Sequence, residues 1–254
     1  MRLQILGTGS RGNAMLLETD GTRVLIDAGF MPRTLARRLR AVHVPPESID
    51  AVVVTHEHAD HAGGVAANVE RHGWRAYATR GTVANAPELQ GATIITPGAS
   101  TRIGGIDIVA IRISHDAAEP IAIVATDWAT GYRTGIAYDL GLATDSLRKA
   151  FVHLDTLVVE ANYDPTMLRI GPYPPVVQRR ISGTRGHLSN GAAATFVANV
   201  HHRGLRQVVL AHLSENCNTP ALALSAVRAL CRAPVVAASQ RAVTDPRPIQ
   251  LELL

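Results

Sequence analysis

Short apolar segments separated by turn residues recur along the chain and predict β-strands. Most are only four to eight residues long, as expected for strands that are buried in a sheet. The predicted strands cover residues 3–6, 14–17, 24–26, 51–55, 106–113, 121–126, 135–138, 156–160, 207–211, 234–238 and 248–254.

Other segments carry apolar residues at the three- to four-residue spacing of a helix. The first begins near Pro32, which suits a first helical turn, and continues through Leu35, Leu39 and Val42. Clusters of strands precede single helices, without the steady alternation of a doubly wound sheet. This order predicts an α/β protein with two mixed sheets and helices on their outer faces. The later predicted helices cover residues 62–72, 145–153, 191–202 and 220–232.

The length of 254 residues allows two small domains or one large domain. We find no repeat or linker, and the Pro-rich residues 171–175 predict only a surface loop that leads into a short helix. We therefore expect a single domain over residues 1–254. No apolar run approaches the ~18 residues of a membrane-spanning helix, which argues against a membrane protein.

The cysteine count and the net charge bear on the cellular compartment and on the kind of partner. Cys217 and Cys231 cannot build a disulfide framework, and residues 1–5 lead into a strand rather than an apolar secretion signal. We therefore expect a cytoplasmic protein. The net charge is +4, and Lys149 is the only lysine among 25 basic residues. Arginine suits phosphate, but no basic block occurs, so charge favours nucleic acid only slightly.

One segment, His56-Glu57-His58-Ala59-Asp60-His61, concentrates metal ligands where an apolar strand ends. His56 and His58 lie two residues apart in extended chain and can project to the same side. Asp60 and His61 then open the next helix. Imidazole and carboxylate ligands suit zinc, manganese or iron. Four of them in six residues are more than one catalytic metal normally takes from one segment, so we expect two metal ions.

This segment resembles the signature of the metallo-β-lactamase superfamily, and further motifs follow in the order of that superfamily. They are Ser114-His115-Asp116, Tyr138-Asp139-Leu140 and Ala211-His212-Leu213. The resemblance implies a four-layer αβ/βα sandwich with two mixed sheets. It also implies one metal bound by His56, His58 and His115, a second bound by Asp60, His61 and His212, Asp139 bridging the two, and Asp27 supporting a ligand from behind.

The bridging motif departs from the family pattern, which usually has a threonine before and after the aspartate. Asp127, which follows Thr126, is an alternative bridging carboxylate twelve residues upstream. A glycine at position 141 and the distance to Glu160 favour Asp139. The sequence leaves both aspartates open.

Glu160 and His187 resemble a pair that acts on the leaving group in nucleases of the superfamily such as tRNase Z. The longer motifs at residues 9–13, 114–120, 167–174 and 186–190 resemble the WalJ (YycJ) family of DNA exonucleases. The resemblance implies hydrolysis of a phosphodiester by a hydroxide that the two metals share and activate. Asp60 would orient this hydroxide, and His187, held by Glu160, would assist the leaving oxygen.

The preferred substrate follows from what the sequence contains between the motifs. Only 73 residues separate Asp139 from His212, too few for the inserted domain of the β-CASP branch, and no Gly/Pro-rich arm is evident. We expect nucleic acid, as DNA ends or single strands. Arg179, Arg180 and Arg185 are candidates for backbone contacts. The predicted substrate-binding residues are Ser10, Asn13, Ser189 and Asn190.

Two alternatives remain. The chain could hydrolyse a small ester, thioester, lactone or cyclic phosphodiester, although the Glu160 and His187 pair argues against this. It could also bind metal and nucleic acid without cutting. His58 stands where flavodiiron proteins have glutamate, which disfavours a redox role. The sequence does not decide between zinc, manganese and iron, between DNA and RNA, or the polarity of cleavage and the oligomeric state.

Overall fold

The computed structural model describes residues 1–244, and the strand predicted at residues 248–254 lies outside them. Two mixed sheets face each other, and helices cover the outer face of each sheet. This arrangement confirms the predicted α/β sandwich. Within residues 1–244, no helix has the length and apolar character needed to cross a bilayer.

The first sheet contains six strands in sequence order. The first three strands pair antiparallel, and the remaining neighbours pair parallel. The strands are β1 (Arg2–Gly7), β2 (Ala14–Thr19), β3 (Thr22–Ile26), β4 (Ala51–Val53), β5 (Arg75–Ala78) and β6 (Thr93–Ile94).

The second sheet contains seven strands, and here too each strand lies next to the strands that precede and follow it in sequence. Its first four strands in the chain pair antiparallel and its last four pair parallel. The carboxyl ends of the parallel strands therefore meet at one edge. The strands are β7 (Ser100–Ile103), β8 (Ile106–Arg112), β9 (Ile121–Asp127), β10 (Arg133–Ala137), β11 (Thr156–Glu160), β12 (Gln207–Ala211) and β13 (Val235–Ala237).

Nine α-helices occur within the described residues, together with two short 3-10 helices at Pro46–Ser48 and Pro87–Leu89. Ser or Thr side chains cap several of them; Thr219, for example, accepts a hydrogen bond from the amide of Leu222. The α-helices are α1 (Pro32–Ala41), α2 (Ala59–Ala62), α3 (Val65–His72), α4 (Arg80–Asn85), α5 (Asp145–Ala150), α6 (Pro165–Ile170), α7 (Pro175–Ser182), α8 (Asn190–Val200) and α9 (Pro220–Arg228).

Three apolar layers hold the sandwich together. Side chains alternate along each strand, so Met15 points between the sheets while Leu16 packs against the helices of the first sheet. Phe151 and Phe196 belong to the outer layer of the second sheet. Fully burying an aliphatic or aromatic side chain contributes about 1.5–3 kcal/mol. These layers fix the strand ends on which the candidate site is built.

The structure corrects several predicted elements. The helix predicted at residues 62–72 is two helices, because the chain breaks at Gly63-Gly64. A side chain at Gly64 would collide with the carbonyl oxygens of Ala28 and Phe30, so only glycine fits this approach. The first-sheet strand predicted to reach residue 55 ends at Val53. The sequence did not predict β5, β6, β7, α4 and α6.

Candidate active site

Three residues at strand ends adopt a left-handed backbone conformation that non-glycine residues rarely take. Asp27, Asp139 and His212 have φ angles of 60°, 53° and 51°, and they follow β3, β10 and β12. Within residues 1–244, only two other non-glycine residues have positive φ. Such backbone strain is common at functional sites, and here all three strained residues belong to the same candidate site.

A first cluster of imidazole nitrogens consists of His56, His58 and His115. His56 Nε2 lies 3.1 Å from His58 Nδ1, and the ring of His115 lies 5.1 Å from each of the other two rings. His115 Nδ1 donates to the carbonyl oxygen of Gly186 at 3.1 Å, which leaves Nε2 available. One nitrogen from each histidine lies within 4.8 Å of the others.

A second cluster consists of Asp60, His61 and His212. Asp60 Oδ2 lies 3.4 Å from His61 Nε2 and 3.6 Å from His212 Nε2. Asp60 and His61 are on the one-turn helix α2, and His212 directly follows β12. The loop after β4 therefore contributes ligands to both clusters, as its ligand-rich sequence predicts.

Asp139 lies between the two clusters. Its Oδ2 is 2.6 Å from His61 Nε2, and its Oδ1 is 3.2 Å from His212 Nδ1 and 3.3 Å from His187 Nδ1. It also forms a potential ligand group with His56 and His61. Asp127 lies elsewhere, at the end of β9, where its carboxylate accepts from the amides of residues 129 and 130. The structure thus places Asp139 and not Asp127 among the histidines.

The side chains of both clusters suit divalent cations. Asp139 Oδ2 and His212 Nε2 are buried without a hydrogen-bond partner in the described residues, although such atoms normally have one. His61 Nε2 approaches Asp139 Oδ2 without the geometry of a hydrogen bond. A shared cation would satisfy the two atoms that lack a partner and would also bind His61 Nε2. Five imidazoles and two carboxylates form a donor set that fits zinc or manganese.

Asp27 supports the second cluster from behind and is fully buried. Its carboxylate accepts from His61 Nδ1 at 2.7 Å, from both the amide and the hydroxyl of Thr55 at 2.7 Å, and from the Tyr138 hydroxyl at 2.6 Å. The bond to Nδ1 leaves His61 Nε2 to face the cluster. The roles of Thr55 and Tyr138 were not predicted, because each depends on where Asp27 points.

Asn13 fixes the start of the second cluster. Its amide donates to the carbonyl oxygen of Asp60 at 2.7 Å, and its side-chain nitrogen lies 3.3 Å from Asp60 Oδ2 and 3.0 Å from His61 Nε2. A side chain at Gly29 would collide with the same carbonyl of Asp60. The sequence predicted that Asn13 contacts substrate. The structure instead buries it fully, where it positions metal-ligand side chains.

Glu160 and His187, although 27 residues apart, form a direct pair. Glu160 is fully buried, and its Oε1 lies 2.7 Å from His187 Nδ1. Its Oε2 accepts from the backbone amides of Leu140 and Leu188, both at 3.1 Å. The carboxylate is therefore held by the backbone, and it orients an imidazole whose Nε2 has no hydrogen-bond partner among residues 1–244.

The carboxylates and imidazoles shift each other's pKa values. Burial lowers the pKa of His187, but the carboxylates of Glu160 and Asp139 outweigh this and raise it well above its usual range. Burial also lowers the pKa of His212, but the nearby carboxylates, of which Asp139 has the largest effect, raise this pKa to about 9. His56 shows the opposite result, because burial and the neighbouring His61 lower its pKa well below normal.

A cavity of about 290 Å³ opens over these side chains. Ser10 and His187 line it, and so do Val177, Arg180 and Ile181 of α7. Ser10 is thus placed where the sequence predicts a substrate contact.

Asp116 lines the cavity too, and the sequence did not predict a role for it. Its Oδ1 lies 3.2 Å from His115 Nε2 and 4.0 Å from His58 Nε2. Arg180 holds its Oδ2 at 2.6 Å and 2.7 Å. Arg185, a second predicted backbone contact, donates from Nε to the carbonyl oxygen of His115 at 3.2 Å. Both arginines thus lie beside the first cluster.

Two further predicted substrate contacts do not reach the cavity. The Ser189 hydroxyl caps α8 by accepting from the amide of Ala192. Asn190 is buried, and its side chain pairs with that of Asn218 at 2.8 and 2.9 Å. Both side chains are occupied in holding the loop after His187, which corrects the prediction that they contact substrate.

Comparisons with known proteins show the superfamily to which the chain belongs. A family model described as the metallo-beta-lactamase superfamily matches residues 7–150. Exodeoxyribonuclease WalJ of Streptococcus pneumoniae is 31% identical over 232 residues, which cover 87% of this chain and 85% of that protein. The chain belongs to the metallo-beta-lactamase superfamily and is a hydrolase of that class.

Two other relatives cover most of the chain. Exodeoxyribonuclease YycJ of Bacillus anthracis is 29% identical over 234 residues, which cover 89% of this chain and 88% of that protein. The crystal structure of the metallo-beta-lactamase fold protein YhfI from Bacillus subtilis has a TM-score of 0.75 at 17% identity and covers 96% of this chain and 98% of that one. The first comparison supports the predicted family, and the second supports the fold.

Proposed function

We propose that this protein is a metal-dependent phosphodiesterase that acts as an exonuclease on DNA. The observation that carries the proposal is the Glu160–His187 pair, an imidazole that a buried carboxylate holds beside Asp139 at the cavity wall. Hydrolysis of an unactivated phosphodiester needs a proton donor for its leaving oxygen. Hydrolysis of a thioester has less need of one, because a thiolate leaves more easily.

We propose that the seven clustered ligands hold two divalent cations, zinc or manganese, with iron a possible substitute. Cations bound there would supply an activated water molecule and offset negative charge on the phosphoryl oxygens. Asp60 is placed to accept a hydrogen bond from the attacking water, since its carboxylate faces both His61 and His212. The proposed ligands are His56, His58, Asp60, His61, His115, Asp139 and His212.

His187 completes the proposed reaction. Water loses one proton to solvent as it adds to phosphorus, the bond from phosphorus to the leaving oxygen breaks, and His187 Nε2 gives its proton to that oxygen. Glu160 keeps the imidazole protonated until then, because a buried carboxylate at 2.7 Å favours the charged form. General acid catalysis of this kind is worth about 10²–10⁴ in rate.

Three observations support nucleic acid as the substrate. Relatives that cover most of the chain are named exodeoxyribonucleases. Two arginines, Arg180 and Arg185, lie at the cavity and the His115 loop. The interval of 73 positions from Asp139 to His212 leaves no space for an inserted domain. We accordingly propose that residues 1–254 act as one domain on DNA ends or single strands.

The test uses purified protein loaded with zinc or manganese and incubated with end-labelled single- and double-stranded DNA and RNA. A thioester and a lactone serve as competing substrates, and a cyclic nucleotide tests the remaining alternative. We expect stepwise shortening of DNA from one end. If well-metallated protein cleaves no nucleic acid but turns over a thioester or lactone, the proposal is wrong.

A further inference from the structure

A groove of about 340 Å³ lies between α6 and α7, next to the catalytic cavity. Two exposed arginines line it, Arg169 from α6 and Arg179 from α7. Gln178 and Ser182 add polar groups, and Tyr163 contributes an aromatic ring. No carboxylate is among the residues that line the groove.

Helix α7 separates the groove from the catalytic cavity. Val177, Arg180 and Ile181 face the cavity, whereas Gln178 and Arg179 face the groove. This division follows the helical period, because residues three and four apart share a face. The two sites are therefore neighbours across one helix, with Arg180 on one side and Arg179 on the other.

The charged side chains that line the groove are both arginines. Asp164, which lies in sequence between the lining residues Tyr163 and Pro165, caps α6 by accepting from the amides of Thr166 and Met167. Residues 165–214 include six arginines and no aspartate or glutamate. Arg180 pairs with Asp116 across the cavity, but neither Arg169 nor Arg179 forms an ion pair with any residue in the range 1–244. Their guanidinium groups are thus free to bind an anion from two sides, which suits a phosphate.

Hydrogen bonds from α7 hold the groove in shape. Gln178 Nε2 donates to the carbonyl oxygen of Tyr173 at 2.9 Å and to that of Arg169 at 3.4 Å, which ties α7 to the end of α6. Two of the most exposed apolar side chains in the described residues, Ile170 at 74% and Val176 at 64%, belong to the same helices. A basic groove with nearby apolar and aromatic groups is typical of sites that bind single-stranded nucleic acid.

We propose that this groove binds a backbone phosphate of the uncleaved strand through Arg169 and Arg179, which deepens the proposed nuclease function and rests on it. The strand passes over α7 from the groove to the cavity. With a helix diameter of ~10 Å and a rise of ~3.4 Å per nucleotide in a stacked strand, the two sites are about three nucleotides apart. A dinucleotide in the cavity cannot reach the groove, but a longer strand occupies both sites.

The experiment measures binding of a fluorescently labelled twelve-nucleotide single-stranded DNA by anisotropy, with metal-loaded His187→Ala protein to suppress turnover. Adding Arg169→Ala and Arg179→Ala weakens binding about tenfold or more. The slope of log affinity against log salt falls by about 0.7, because the two arginines share one phosphate and each neutralised phosphate of a single strand contributes ~0.7. The twelve-nucleotide strand binds the parent protein more tightly than a dinucleotide does, and this difference in affinity shrinks by the same factor.

The matched control is Arg37→Ala with Arg40→Ala, which removes the same charge from exposed positions of α1. We expect this pair to change binding by less than about twofold, and melting curves confirm that both double variants are folded. An equal loss in both double variants, or no loss in the groove variant, would overturn the proposal. So would failure of the parent protein to bind the strand. If wild-type protein binds the strand through the groove but cleaves no nucleic acid, the proposed nuclease function is wrong and the proposed phosphate binding in the groove stands.

Discussion

Replacement of His187 by alanine separates leaving-group chemistry from the rest of the site. The imidazole contacts the carboxylates of Glu160 and Asp139, and its side chain is 22% exposed at the cavity. Without it, Glu160 still accepts from the amides of Leu140 and Leu188 and lies 3.2 Å from His212 Nδ1. The buried carboxylate thus keeps its partners, and we expect the variant to fold.

The size of the effect depends on the leaving group. Loss of a general acid lowers the rate by about 10²–10⁴ when the leaving oxygen must be protonated, which corresponds to about 3–5 kcal/mol of barrier. A nitrophenolate is stable as an anion near neutral pH and needs no such help. His187→Ala should therefore be severely slowed on a nucleoside leaving group and only slightly slowed on a nitrophenolate.

The assay compares two substrates that share the same thymidine 5′-phosphoryl group, the dinucleotide of thymidine and the p-nitrophenyl ester of thymidine 5′-phosphate. The ratio of kcat for wild type and variant is measured on each at equal metal content. A loss of the same size on both substrates would refute proton donation by His187. It would assign the residue to binding or to support of the metal ligands instead.

Further predictions concern the ligand support, the charge of the cluster and a structural control. Asp27→Asn weakens metal affinity about 10- to 100-fold, as measured by competition with a chelator; unchanged affinity would contradict the support of His61 by Asp27. In metal-free protein the raised pKa of His212 stabilises the fold fully below pH 6.5, and this stabilisation is lost as pH rises toward about 9. Urea unfolding should show this decline, and a rise over the same range would show that the sign is wrong. Thr219→Ala removes the cap of α9 and costs about 0.5–2 kcal/mol of unfolding free energy, while kcat stays unchanged.

The main strands and the ligand segment follow from local sequence. Strands β11 and β12 are fully buried five-residue strands, each with three consecutive large apolar residues at its centre, and their limits match the prediction. The strands that were missed are short or polar: β6 has two exposed residues, and β7 is a half-exposed edge strand. Their pairing partners, rather than their own composition, make them strands.

The candidate site was predictable where ligands follow each other in sequence and less so where tertiary contacts orient them. His56 to His61 form one run, but Asp116 gains its arginine partner only when α7 brings Arg180 to it. Ser189 and Asn190 follow His187 directly, yet their side chains turn to a helix cap and to Asn218. Sequence proximity to His187 therefore did not indicate a side chain's direction.

The central claim is that seven side chains from separate loops hold two cations. Anomalous diffraction from crystals grown with zinc or manganese tests it most directly. We expect two peaks, one beside His56, His58 and His115 and one beside Asp60, His61 and His212, with Asp139 contacting both. A single peak, no peak in fully metallated crystals, or Asp139 turned away from the histidines would contradict the assignment.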